Sequence, residues 1–210
     1  MNENASFVID IPKDIADIKL PDPDLLRFYK NQKSRIIYLD YIIDEDFIQL
    51  VGNQIIEYNI EDKGKPVEER KPIVILINSG GGNLETCFAV VGIIEQSKTP
   101  VITVNLSSAH SAAGLILLAG HKRYCMPRSQ MLIHKGSASG ISGNFDEIAD
   151  SMKSYKKIVD DMINLICDKS KIERKDITKN CKPDWFLPVE QQIALGCVDK
   201  VLDSLDDILV

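Results

Sequence analysis

Apolar positions along the chain fall into short unbroken runs separated by stretches of amphipathic spacing. PIVILIN (Pro72–Asn78) is a continuous apolar run, which predicts a strand covered on both faces. VITVNL (Val101–Leu106) predicts a second buried strand, and RIIYLDYIID (Arg35–Asp44) a strand and turn. Between them the spacing changes. Asp46 to Asn59 predicts an amphipathic helix with Phe47, Leu50, Val51 and Ile55 on one side. Asn83 to Gln96 and the small, aliphatic stretch from Ser111 onward predict two more helices, and Leu25 to Lys33 a short one. HKRYCMPRSQMLIH predicts a turn and short strands ending at His134. A long helix follows over Phe145–Lys169, where Ile148, Met152, Tyr155, Ile158, Val159, Met162, Ile163 and Ile166 form a stripe at helical spacing. A polar helix or turn is expected near Glu173–Lys179. Strands alternate with helices, so the class is α/β, with strands buried between helical layers.

Breaker residues set the organisation. Residues 1–24 hold Pro12, Pro21 and Pro23 and read as an arm with a short strand at Phe7–Ile11. Residues 25–210 then form a single domain. EDKGKPVEERK (Glu61–Lys71) is a charged surface loop, and GSASGISGN (Gly136–Asn144) a flexible or extended one.

Composition narrows the class. A net charge of −6 and a pI near 5.1 argue against nucleic acid as the main partner, since phosphate binding wants clustered Lys and Arg. No apolar run reaches the roughly 18 residues of a membrane span. The first residues lack the basic start and apolar core of a signal peptide. Five scattered cysteines without a C-x-x-C pair, and only three histidines, give no zinc framework; they read as reduced, buried thiols of a cytoplasmic protein. Neither a phosphate-loop nor a dinucleotide fingerprint follows the glycines at Gly80–Gly82, so no cofactor is expected.

Two stretches carry candidate chemistry, each a strand leading through small residues into a helix. Ser111 stands at such a junction, followed by Ala112, Ala113 and Gly114, which leave room for a substrate beside the hydroxyl. The unpaired N–H groups of the first helical turn can stabilise an oxyanion. Ser107, Ser108 and Ser111 are equally ordinary helix caps. Ser79–Gly82 lets the backbone approach a ligand with its amides exposed, or is simply a tight turn. His110 adjoins Ser111, but consecutive residues point to different sides; His121 falls in a surface turn. Asp184, taken alone, reads as a cap for the segment at Trp185.

INSGGG (Ile77–Gly82), SSAHSAAGLILLAG (Ser107–Gly120), KRYCMPRSQMLIH (Lys122–His134) and PDWFLPVEQQIALGCVDKV (Pro183–Val201) resemble, in order, four segments of the proteolytic subunit of Clp protease. RIIYLDYIID resembles a fifth. The resemblance runs from about Leu25 to Leu202. It implies a crotonase-like α/β spiral of strand-strand-helix units with a protruding helical handle. It also implies a Ser-His-Asp triad at Ser111, His134 and Asp184, with the oxyanion hole on the N–H groups of Gly82 and Ala112. The implied activity is serine endopeptidase cleavage of extended or unfolded polypeptides in a homo-oligomeric chamber of stacked heptameric rings, with an ATP-driven AAA+ unfoldase or alone. Two alternatives share the fold: a crotonase-type acyl-CoA lyase or hydratase, which needs acidic residues where Ser and His stand here, and a non-catalytic ring scaffold.

The chain departs from the family pattern at several positions. Gly80 replaces a proline, which loosens the glycine turn. Lys135-Gly136 replaces Gln-Pro after the histidine, and the loop behind is about one residue longer. Val74 and Leu76 stand where the family carries aromatic residues that dock an ATPase. The arm does not match the family's axial loop. Pro183 replaces an arginine beside the acid that can pair across rings, so a weaker double-ring contact is expected, formed by Gly136–Asn144 and the helix at Phe145–Lys169.

Overall fold

The computed structural model describes residues 22–137, 141–182 and 184–208. The expected strand at Phe7–Ile11 and Pro183 lie outside the described residues. The first helix, α1 (Pro23–Ser34), has proline at its start, and the Asp22 side chain accepts from the Asp24 N–H at 2.8 Å. It ends at Arg35, whose φ of 55° is left-handed, and turns into β1 (Ile36–Leu39).

The helix expected over Asp46–Asn59 is broken in character. Ile48–Gly52 is a π turn, and α2 (Asn53–Glu61) continues from it. The wider turn resets the face: Phe47, Val51, Ile55 and Tyr58 are buried, whereas Leu50 is 47% exposed. Leu50 therefore does not belong to the core face that regular spacing assigns to it.

Next come β2 (Ile73–Ser79), α3 (Leu84–Gln96) and β3 (Val101–His110). The strand β3 runs four residues beyond the expected Leu106, directly to Ser111. Every residue of α4 (Ala112–Ala119) is buried, as its all-round apolar character demands. Short strands β4 (Lys122–Cys125) and β5 (Gln130–His134) precede the long α5 (Phe145–Lys169), which opens on a capping box of Asn144 and Glu147. Then follow α6 (Arg174–Asn180), β6 (Asp184–Pro188), α7 (Val189–Ala194) and β7 (Lys200–Val201).

Strands β1, β2, β3, β4 and β7 lie side by side in that order, all parallel. The strand β3 changes partner along its length: Ile102–Asn105 pair with β4, and Ser108–His110 pair with β5. In turn β5 carries β6 antiparallel, placing His134 opposite Asp184. This branch is what brings the C-terminal segment to the end of β3. The main core lies between the sheet and the helices, while Val74, Ile102 and Val104 on the other face join Leu202 and Ile208 in a second cluster. The side chain of Val74 is thus buried within this second cluster.

The apolar stripe of α5 divides in two. Met162, Ile163 and Ile166 are buried in the core, whereas Phe145, Ile148 and Met152 are 85%, 39% and 50% exposed. The first half of the helix projects from the domain as the expected handle. Among the described residues, no helix is long and apolar enough to cross a membrane. All five cysteines are unpaired; burial pushes the Cys197 thiol up to about 12.

One buried ion pair ties the first elements together. The Arg35 guanidinium donates to both Asp62 carboxylate oxygens at 2.5 and 3.0 Å, to Glu61 at 2.9 Å and to the Lys71 carbonyl at 2.8 Å. It also lies over the Tyr58 ring at 5.0 Å. Lys65 and Thr99 donate to Asp62 as well. Arg35 holds the Asp62 carboxyl well below the usual carboxylate range, against the opposing effect of burial. Asp62→Asn leaves the guanidinium buried and half-paired, so it is expected to lower stability by about 3–5 kcal/mol at neutral pH. Because the folded-state pKa is depressed, this contribution is complete above the unfolded carboxylate range and fades only in stronger acid. Urea unfolding of both proteins at pH 7 and pH 3 checks this: a gap already absent at pH 7 contradicts it.

Candidate active site

The site is built where β2 and β3 end. Ser79 closes β2, and its hydroxyl donates to the Tyr41 carbonyl at 2.5 Å and accepts from the Gly81 N–H at 3.1 Å. The glycine turn that follows is threaded between two backbones. The Ile43 N–H donates to the Gly81 carbonyl at 2.9 Å, and the Asn83 N–H to the Ile43 carbonyl at 2.7 Å. A Cβ on Gly82 would stand 2.1 Å from the Ile43 carbonyl oxygen; on Gly81 it would meet His110 O, Ser111 Cβ and Ala112 N at 2.6–2.9 Å. Both have positive φ, 96° at Gly81 and 150° at Gly82. Only glycine meets both demands. Nothing stands within 4 Å of a Cβ on Gly80, so this position has no comparable restriction.

Ser111 links β3 to α4 with φ 54° and ψ −125°, a conformation that costs a non-glycine residue about 1–3 kcal/mol. Its N–H donates to the Leu132 carbonyl on β5 at 2.9 Å, and its carbonyl accepts from the Gly114 N–H at 2.9 Å. The side chain makes no capping bond to its own helix. This removes the reading of Ser111 as an ordinary cap. Instead its Oγ lies 2.6 Å from His134 Nε2.

His134 ends β5, with Asp184 opposite on β6. Nδ1 of the ring is 3.8 Å from Asp184 Oδ1, close enough for charge attraction but too long for a hydrogen bond. Asp184 is a strand residue facing the histidine, which replaces its reading as a local cap. Among the described residues, the N–H groups of Gly82 and Ala112 have no acceptor. They flank Ser111 from the glycine turn and from the first position of α4. The five expected site residues are therefore brought to one place, with the His–Asp contact looser than the Ser–His contact.

These groups open onto a cleft of about 690 Å³ between the glycine turn and α5. Leu84 and Ile158 give its apolar lining, Ser151 and Ser154 its polar side, and Gly80 and Gly136 its backbone rims. The Tyr155 hydroxyl donates to the Lys135 carbonyl at 3.1 Å, tying α5 to the residue after His134.

The other histidines stand apart. His110 packs edge-on to Phe186 with ring centroids 6.0 Å apart; burial lowers its pKa and holds it neutral. His121, although exposed, is more than a turn residue, since its Nδ1 accepts from the Val101 N–H at 2.9 Å. Sequence reasoning singled out the Ser79–Gly82 turn but missed the part played by the Ser79 hydroxyl, which braces that turn. It also missed Asn105, a polar residue interrupting the apolar run of β3.

A family model described as Clp protease matches residues 26–205. The ATP-dependent Clp protease proteolytic subunit 2 of Treponema denticola is 34% identical over 140 residues, 66% of this chain and 70% of that protein. The ATP-dependent Clp protease proteolytic subunit of Deinococcus radiodurans is 26% identical over 174 residues, 82% of each chain. Subunit 1 of Bacillus cereus is 28% identical over 196 residues, 92% of this chain and 98% of that one. Since that family model covers residues 26–205, well over half of its length, the chain belongs to the Clp protease family.

Proposed function

We propose that this protein is a cytoplasmic serine endopeptidase in which Ser111 is the nucleophile, His134 the general base and Asp184 the orienting acid. The observation that carries this is the 2.6 Å contact between Ser111 Oγ and His134 Nε2 at a strained strand-to-helix junction. His134 takes the hydroxyl proton as Oγ attacks the peptide carbonyl, and the N–H groups of Gly82 and Ala112 receive the developing oxyanion. The imidazolium then protonates the leaving amine, which departs to give an acyl-enzyme. Water, deprotonated by the same imidazole, attacks the ester and releases the acid and free Ser111. Asp184 holds the proton-bearing Nδ1 toward itself and stabilises the imidazolium. An extended polypeptide suits the cleft, since the exposed backbones at Gly80 and Gly136 offer strand-like pairing along its rims.

The named relatives are proteolytic subunits of ATP-dependent proteases, which supports partnership with an AAA+ unfoldase and a homo-oligomeric ring. The projecting half of α5 supplies the contact between copies, because Phe145, Ile148 and Met152 expose an apolar face beside the cleft.

A fluorophosphonate is expected to add once per chain, on the peptide holding Ser111, and Ser111→Ala to abolish labelling. Label surviving that change, or found elsewhere, excludes Ser111 as nucleophile. Gly82→Ala forces a Cβ onto the Ile43 carbonyl and displaces one oxyanion donor, so peptide hydrolysis is expected to drop about 10²–10³-fold. Gly92→Ala, within α3 and with nothing within 4 Å of the added Cβ, should stay within about threefold of the parent by the same assay. Equal losses in the two variants contradict the assigned donor. Mass photometry of Ile148→Glu/Met152→Glu is expected to show smaller species than the parent at equal concentration; an unchanged mass distribution places the contact elsewhere.

A further inference from the structure

The branch of the sheet that carries the proposed triad is held by a pair of buried side-chain amides. Asn105 and Gln192 are both fully buried. Asn105 Nδ2 donates to the Gln130 carbonyl at 3.1 Å and to Gln192 Oε1 at 3.2 Å. Gln192 Nε2 donates to the Ser129 carbonyl at 3.2 Å and to the Leu187 carbonyl at 3.1 Å. Four acceptors around two NH₂ groups leave no freedom to exchange oxygen and nitrogen in either amide. Asn105 Oδ1 is left buried without a partner, a cost the arrangement tolerates in exchange for the other four bonds.

The positions joined are those from which the proposed catalytic groups are cantilevered. Asn105 is the last β3 residue paired with β4, and Ser111 follows at the far end of the same strand. Ser129 immediately precedes β5, which begins at Gln130 and ends in His134; Leu187 and Pro188 end β6, which begins with Asp184. The β5–β6 ribbon therefore has Gln130 and Pro188 at its anchored end and His134 and Asp184 at its free end, about 13 Å away at 3.3 Å per residue. Among the described residues, β6 pairs with no strand other than β5. The Gln192 bond to the Leu187 carbonyl is an independent tether on β6, reaching it from α7.

We infer that Gln192 is a positioning residue that sets Asp184 against His134 by clamping β6 to β5 at the anchored end of their ribbon. This inference rests on the triad proposed above. The Ser–His contact is fixed separately, through β3–β5 pairing and the Ser111 N–H to Leu132 bond. The His–Asp contact, at 3.8 Å, depends on how β6 is held against β5, by Gln192 at one end and by the Cys181 thiol on the Ile133 carbonyl at 3.5 Å near the other. A small rotation at the clamp is amplified along the ribbon. None of the residues whose groups the Gln192 side chain hydrogen-bonds lines the cleft.

The test is Gln192→Met, which keeps the volume and deletes both donors, assayed on a fluorogenic peptide with kcat and KM separated. The expected result is a kcat about 10–100-fold lower with KM within twofold. Gln192→Asn, which keeps an amide too short to span both carbonyls, provides a gentler variant if Gln192→Met does not fold, and should show the same direction with a smaller loss. A variant with a lower Tm but parental kcat and KM overturns the inference and leaves the triad standing. A parent protein that neither hydrolyses the peptide nor takes a fluorophosphonate at Ser111 overturns the triad, and the inference with it.

Discussion

The structure depends on holding a serine at positive φ where β3 ends and α4 begins. Such a residue does not remain there unless its surroundings over-determine it. Here the Ser111 N–H is bound to β5, its carbonyl to Gly114, and the approach of Gly81 leaves no space for relaxation on the third side. These constraints make the glycines on the facing turn obligatory, and they aim Oγ away from the helix it would otherwise cap. The same backbone that strains the serine leaves the amides of Gly82 and Ala112 without acceptors. The strain at Ser111, the free direction of its Oγ and the two unpaired amides are thus consequences of one close approach of chain to chain.

That approach has to be supported from behind, and two buried polar clusters do so, one beside β1 and one at the branch from β3. Around Asp62, the Arg35 guanidinium fastens the end of α1 to α2 and to the loop entering β2. From this fastened edge the chain reaches Ile43, whose backbone grips the glycine turn. At the branch the Asn105–Gln192 amides join β3 to the β5–β6 ribbon. One cluster is ionic and the other neutral, in keeping with their tasks. The ionic cluster keeps partial access to water through Glu61 and Lys65. The neutral one lies wholly inside, where an unpaired charge would cost far more than an amide.

Much of this could be read in the sequence, and the parts that could not share a cause. Unbroken apolar runs located β2 and the first half of β3, and the spacing at Phe145–Lys169 located α5, because burial on a strand or one helix face leaves a local signature. The small residues after Ser111 and the triple glycine marked the two turns that meet. Local pattern gave no sign that β3 changes partner after Asn105, because that depends on where β4 and β5 lie. Nor did it show the π turn at Ile48–Gly52, which moves Leu50 to the surface without altering composition. His121 looked like a turn residue since its bond to Val101 spans twenty positions. The 3.8 Å separation of His134 and Asp184 is likewise a property of strand register, invisible to residue spacing.

The exposed half of α5 connects this geometry to assembly. Its apolar residues stand outward while Ser151, Ser154 and Ile158 on the same helix line the cleft, so one element serves both surfaces. The Tyr155 hydroxyl bridges them by its bond to the Lys135 carbonyl, one residue beyond His134. A neighbour pressing on Ile148 and Met152 would act on a helix whose core end is fixed by Met162, Ile163 and Ile166. A tilt of its free half would be felt at Lys135 through that bond. The segment affected follows His134, whose contact with Asp184 is longer than its contact with Ser111. A contact between copies at this half of α5 and the clamp proposed for Gln192 would thus act on the same pair of residues from opposite ends of one ribbon.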